Sequence, residues 1–133
     1  MRAVKLMEIE RTYKNNGQHA EQIARYTLTG QIEKADNRPH NLGGDIGNIQ
    51  IKSARATVCR GTDIEQYLNE DGATAWGYVT ENFETMYIMD RKEWEKFIKI
   101  FGTITFESKK NGGFQKIRLK SESKEMKRWL TER

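Results

Sequence analysis

The segment Gly43-Gly44-Asp45-Ile46-Gly47-Asn48-Ile49-Gln50-Ile51-Lys52 constrains the chain most. Gly47-Asn48 is a two-residue turn signal, because both residue types accept the positive φ of a hairpin turn and so set the register of the flanking strands. With the turn there, Ile46 faces Ile49 and Asp45 lies opposite Gln50, while the period of two puts Lys52 on the face of Gln50. An acid, an amide and an ammonium group then share one face. Burying that face in an ordinary apolar core would carry a considerable desolvation cost, which points to a use. Asp45 also suits a plain turn, and Gln50 and Lys52 suit an outward, solvated sheet face. Both readings stay open at this level.

Around this segment, helix and strand patterns alternate. The spacing predicts a helix over about residues 17–28, with Ala20, Ile23, Ala24 and Thr27 on one stripe, Glu21 at its border, and Asn15 or Asn16 as cap. Gly30 ends it, residues 31–35 read as a strand, and Asp36-Asn37-Arg38-Pro39-His40-Asn41 reads as a loop. The second strand of the hairpin runs over residues 49–58. Thr62-Asp63-Ile64-Glu65 has capping-box spacing and opens a helix that Asp71-Gly72 ends. Residues 73–80 and 83–89 read as a hairpin. Asp90-Arg91-Lys92-Glu93 is a second capping box, followed by Trp94, Phe97, Ile98 and Phe101 at helical spacing. Residues 103–107 and 114–119 form another hairpin around Asn111-Gly112-Gly113, and Ser121 or Ser123 starts a last helix with Met126, Trp129 and Leu130 inward. Residues 1–14 carry no pattern that settles their state. Trp76, Trp94 and Trp129 read as core, and His19 and His40, which lack metal-ligand spacing, read as surface residues.

An acid followed after a short gap by Glu-x-Lys or Gln-x-Lys resembles the PD-(D/E)xK nuclease superfamily, the fold of many restriction enzymes, junction resolvases and transposase endonuclease subunits. The matching residues are Asp45, Gln50 and Lys52, with Glu21 as the counterpart of the helix acid that often joins the site. The resemblance spans roughly residues 15–80 and departs from the commonest pattern in having Gln at position 50. It implies an α/β (α+β) chain with a restriction-endonuclease-like core: a central mixed sheet flanked by helices, extended by an additional C-terminal hairpin and helix. The element order α-β-β-β-α-β-β-α-β-β-α matches that core in its first six members. The implied organisation is one domain over residues 1–133, with the core at about 15–80 and the extension at about 81–133.

The resemblance further implies a metal-dependent endodeoxyribonuclease of a phage, mobile element or restriction-type system, using Mg²⁺ or Mn²⁺. Glu21, Asp45, Gln50 and Lys52 are its catalytic candidates. Glu21, Asp45, the amide oxygen of Gln50 and the carbonyl of Ile51 would hold the ion, since Mg²⁺ takes hard oxygen ligands and keeps several waters. Lys52 would orient the attacking water or stabilise charge on the phosphate. Because Gln50 removes a formal charge, a non-catalytic nucleic-acid-binding module on the same fold is the alternative, and a structural protein with a fortuitous acid and lysine is a third.

The chain has 133 residues, 32% of them charged and 36% hydrophobic, with three Trp, five Tyr and five Phe to build a core, which argues against a disordered chain. A net charge of +4 is a mild bias towards nucleic acid, and nine lysines and arginines fall between Lys109 and Arg133. Lys109, Lys110, Lys116 and Arg118 surround a glycine turn and are the candidate phosphate contacts. The single cysteine, Cys59, points to a reducing compartment, and no apolar run or leader-like segment is evident, so the expectation is a cytoplasmic protein with no membrane association. DNA is the expected partner, and a homodimer is compatible with the sequence.

Overall fold

A computed structural model describes residues 1–33, 45–108, 110 and 112–132. Among these the chain is mixed α/β, with four helices and two sheets. In chain order the elements are β1 (Arg2–Lys5), α1 (Asn16–Thr29), β2 (Ile49–Ser53), β3 (Thr57–Arg60), α2 (Ile64–Asp71), β4 (Ala75–Val79), β5 (Thr85–Met89), α3 (Arg91–Phe101), β6 (Gly102–Phe106), β7 (Gln115–Leu119) and α4 (Lys124–Thr131). None of the helices is long and apolar enough to cross a membrane.

The helix boundaries follow from capping chemistry. Asn15 accepts a hydrogen bond from the Gln18 amide and starts α1, and Gly30 closes it with φ +76°. Asp90 and Glu93 form a reciprocal capping box on α3, as their spacing predicts, and Ser123 caps α4. The cap of α2 is Asp63, which accepts from Gln66, so the helix starts one residue later than the Thr62 to Glu65 spacing suggests.

The strands depart further from expectation. A single central sheet is replaced by a mixed four-stranded sheet, β1-β5-β4-β2, and an antiparallel three-stranded sheet, β3-β7-β6. The strand expected over residues 49–58 is cut in two by a turn in which the Ala56 amide donates to the Ser53 carbonyl and Arg55 takes φ +65°. Its first half, β2, runs parallel to β4, and its second half, β3, pairs with β7. The C-terminal hairpin is thus not an appendage, because β7 is the central strand of the second sheet. The strand expected over residues 31–35 does not form at residues 31–33, where Thr29 Oγ1 accepts from the Gln31 amide and folds the chain locally. Residues 34 and 35, the loop with His40, and Gly43 and Gly44 lie outside the described residues.

Two apolar clusters occupy opposite faces of the four-stranded sheet. Ala20, Ile23 and Ala24 of α1 pack on Ile51, Val79 and Met86. On the other face Trp76 and Tyr78 meet Trp94, Phe97 and Phe101 of α3, with Ile117 and Leu119 of β7 and Met126 and Leu130 of α4 closing the cluster. The Trp76 and Trp94 rings lie parallel, 6.3 Å between centroids. Gly102 lets β6 follow α3 without a linker, since a Cβ there would sit 2.5 Å from the Ile98 carbonyl oxygen.

Candidate active site

Strand β2 determines where each candidate group sits. The residues leading into it form the expected tight turn: Gly47 has φ +59°, and Ile46 and Ile49 exchange both main-chain hydrogen bonds at 3.1 and 3.0 Å. Ile46 is an isolated bridge, and Asp45 before it belongs to no strand. Asn48 turns its carbonyl the other way and accepts from the Thr74 and Ala75 amides at the start of β4. Main-chain groups alternate in direction along a strand, so Ile51, like Ile49, aims its N–H and C=O at the outer edge of β2.

That edge is where Asp45 lies. Its Oδ2 accepts from the Ile51 amide at 2.9 Å, in place of the next rung of the hairpin. The carboxylate therefore stands beside the edge to which the Ile51 carbonyl is also directed. Gln50 and Lys52 share the opposite face of the strand from buried Ile51, and both are half-buried. Lys52 Nζ donates to the Thr57 carbonyl at 3.3 Å across the turn that separates β2 from β3.

Glu21 is drawn into a different arrangement. It forms an ion pair with Arg25 one helical turn later, at 2.8 Å, and the Arg25 guanidinium reaches the Asp45 carbonyl at 3.5 Å. Glu21 is thus linked to Asp45 through Arg25 and the Asp45 main chain.

An acid outside the expected set belongs to this neighbourhood. Asp71, the last residue of α2, has its carboxyl pushed above the ordinary value chiefly by burial, against a hydrogen bond from Trp76 and the charge of Lys52, with the charge of Asp45 adding to the rise. A carboxylate at a helix C-terminus faces the negative end of the helix dipole, and that mismatch was the signal in the sequence.

Lys52 also opens into a cleft of about 390 Å³ between the two sheets, which Thr57, Arg60, Tyr67, Glu107, Phe114 and Lys116 line with it. Arg60 is exposed and lies over the Phe114 ring, 5.8 Å from its centroid. Lys116 forms an ion pair with Glu107. Of the other expected phosphate contacts, Arg118 donates to the Arg55 carbonyl at 2.5 Å, Lys110 is exposed, and Lys109 lies outside the described residues. Arg60, Tyr67 and Phe114 escape the sequence reading because they come from β3, α2 and the approach to β7, which meet only through the second sheet.

The described histidine is not a surface residue. His19 is buried edge-on against Phe83, and burial, followed by the charge of Arg11, lowers its pKa from the ordinary imidazole value. Trp76 and Trp94 are core residues as expected.

Compared with known proteins, the chain matches no family model, and no curated protein or solved structure gives a significant match.

Proposed function

We propose that the chain is a metal-dependent endodeoxyribonuclease resembling the PD-(D/E)xK group, of a phage, mobile element or restriction-type system. The observation that carries this reading is the placement of the Asp45 carboxylate against the Ile51 amide on the outer edge of β2. It sets an acid and a main-chain carbonyl beside the strand that carries Gln50 and Lys52 at alternate positions. Asp45, the Ile51 carbonyl and the Gln50 amide oxygen are hard donors that suit Mg²⁺ or Mn²⁺, and they leave most of the ion's coordination to water. When bound, the ion supplies a nucleophilic hydroxide and positive charge at the phosphate. The Ile51 N–H holds Asp45 in place by occupying one oxygen, and the other is the candidate metal donor. Lys52, tethered at Thr57, presents its ammonium group to an incoming phosphodiester and stabilises the charge that develops on it.

A second reading has its own support. Among the described residues no three carboxylate, imidazole or thiol groups come together to hold a metal. Glu21, moreover, is already paired with Arg25. On this reading the fold binds nucleic acid without cutting it.

Supercoiled plasmid incubated with Mg²⁺, Mn²⁺ or EDTA distinguishes the two. The nuclease reading expects nicking or linearisation that requires the ion and disappears in Asp45→Asn and Lys52→Ala, both folded by circular dichroism. Cleavage that survives Asp45→Asn removes Asp45 from the site; binding without cleavage under every ion supports the second reading.

A further inference from the structure

The cleft beside Lys52 has a composition that the hydrolytic groups do not explain. It combines two cations, Lys52 and Arg60, with two half-buried aromatic side chains, Tyr67 and Phe114, while the third cation, Lys116, is offset by Glu107. A solvated basic face has no need to hold aromatic rings at the wall of a cleft. An arginine over an aromatic ring is a platform on which a further planar π-system can stack. A nucleobase carrying a phosphate presents the two features this surface complements, a flat ring and a dianionic or monoanionic head.

The size of the space narrows the ligand. About 390 Å³ lies at the low end of small-ligand pockets, which run from about 300 to 1,000 Å³, so the space suits one nucleotide better than two. In a continuous duplex both faces of each base are covered by neighbours, and a base can reach an aromatic wall only after it is unstacked. Resting on the nuclease reading above, we propose that this cleft receives a single unstacked nucleotide adjoining the phosphodiester held at Lys52. The chain then selects single-stranded nucleic acid, or duplex with an extruded base, over continuous duplex. The Arg60 and Phe114 platform holds the base and sets this preference, whereas Lys52 holds the phosphate. Burial raises the Tyr67 pKa, so its phenol stays protonated and is available as a donor at the rim.

Fluorescence anisotropy of a labelled oligothymidylate and of a blunt mixed-sequence duplex, measured in EDTA to prevent turnover, tests this. The wild type should bind the single strand more tightly. Phe114→Ala and Arg60→Ala should each weaken oligothymidylate binding about tenfold, the scale of one stacked base, with duplex affinity unchanged, and Phe114→Trp should restore it. Arg60 is exposed, so Arg60→Ala keeps the test available if Phe114→Ala does not fold. Equal affinity of the wild type for both probes, equal losses on both probes, or no binding of the single strand overturns the proposal. Plasmid cleavage is read separately. Single-strand preference lost on Phe114→Ala, in a protein that does not cleave under any of the ions, keeps the cleft assignment and removes the nuclease; cleavage by a protein indifferent to strandedness does the reverse.

Discussion

The two faces of the four-stranded sheet are built from different material. Towards α1 the contacts are small and aliphatic, with Ala20, Ile23 and Ala24 on Ile51, Val79 and Met86. Towards α3 and the second sheet they are large and aromatic, centred on Trp76, Tyr78, Trp94 and Phe97. Strand β2 belongs to both faces in different ways. Its odd residues, Ile49, Ile51 and Ser53, serve the aliphatic side, whereas Gln50 and Lys52 replace the aromatic layer with polar groups at the sheet edge. Apolar packing and the candidate polar groups are thereby divided between alternate residues of one strand.

The largest effects should come from truncating the aromatic face. Trp94 is 1% exposed and touches both Trp76 and Phe97, so Trp94→Ala should cost about 3–5 kcal/mol in urea unfolding. Ile23→Ala on the opposite face should cost about 2–4 kcal/mol, because a smaller side chain is lost. A larger loss at Ile23 than at Trp94 would reverse the ranking of the two faces.

A smaller effect tests the candidate site at the edge of β2. Asp45→Ala deletes the acceptor for the Ile51 amide and should lower stability by about 1 kcal/mol, while Asp45→Asn keeps an acceptor oxygen and should cost less. Both should lose divalent-ion affinity, measured by calorimetry. Undiminished Mn²⁺ binding in Asp45→Ala would confine Asp45 to a turn-closing role.

The smallest effect is pH-dependent and belongs to the α1 side. The pKa of His19 is lowered in the folded state, so its contribution is fully present above the unfolded value near 6.5 and is lost as pH falls through the lowered value. The wild-type Tm should therefore drift down by a few degrees between pH 7 and pH 5, and His19→Gln should flatten that drift. A His19→Gln profile parallel to the wild type would place the acid sensitivity elsewhere.

Much of this architecture was legible along the chain wherever both partners of an interaction lie within a few residues. The Asp90 to Glu93 box, the Ser123 cap, the Gly30 stop and the Gly47-Asn48 turn are local chemistry, and each appears where its spacing places it. Asp63 took the cap of α2 from Thr62 because two adjacent residues can both serve and geometry chooses between them. The break at residues 54–56 was harder to see, since Ser53-Ala54-Arg55-Ala56 carries neither Gly nor Pro and a non-glycine residue takes the positive φ.

Sequence alone determined the helices, the turn before β2 and the alternation that puts Gln50 and Lys52 on one face and Ile51 on the other, because these depend on backbone geometry over a few residues. The tertiary structure decided that β2 runs parallel to β4, that β3 leaves for a second sheet, and that Asp71, Arg60, Tyr67 and Phe114 come near Lys52. Those outcomes turn on which distant surfaces bury the most apolar area together. A pairing between residues 50 and 76, or 59 and 117, leaves no periodic trace in the chain between them.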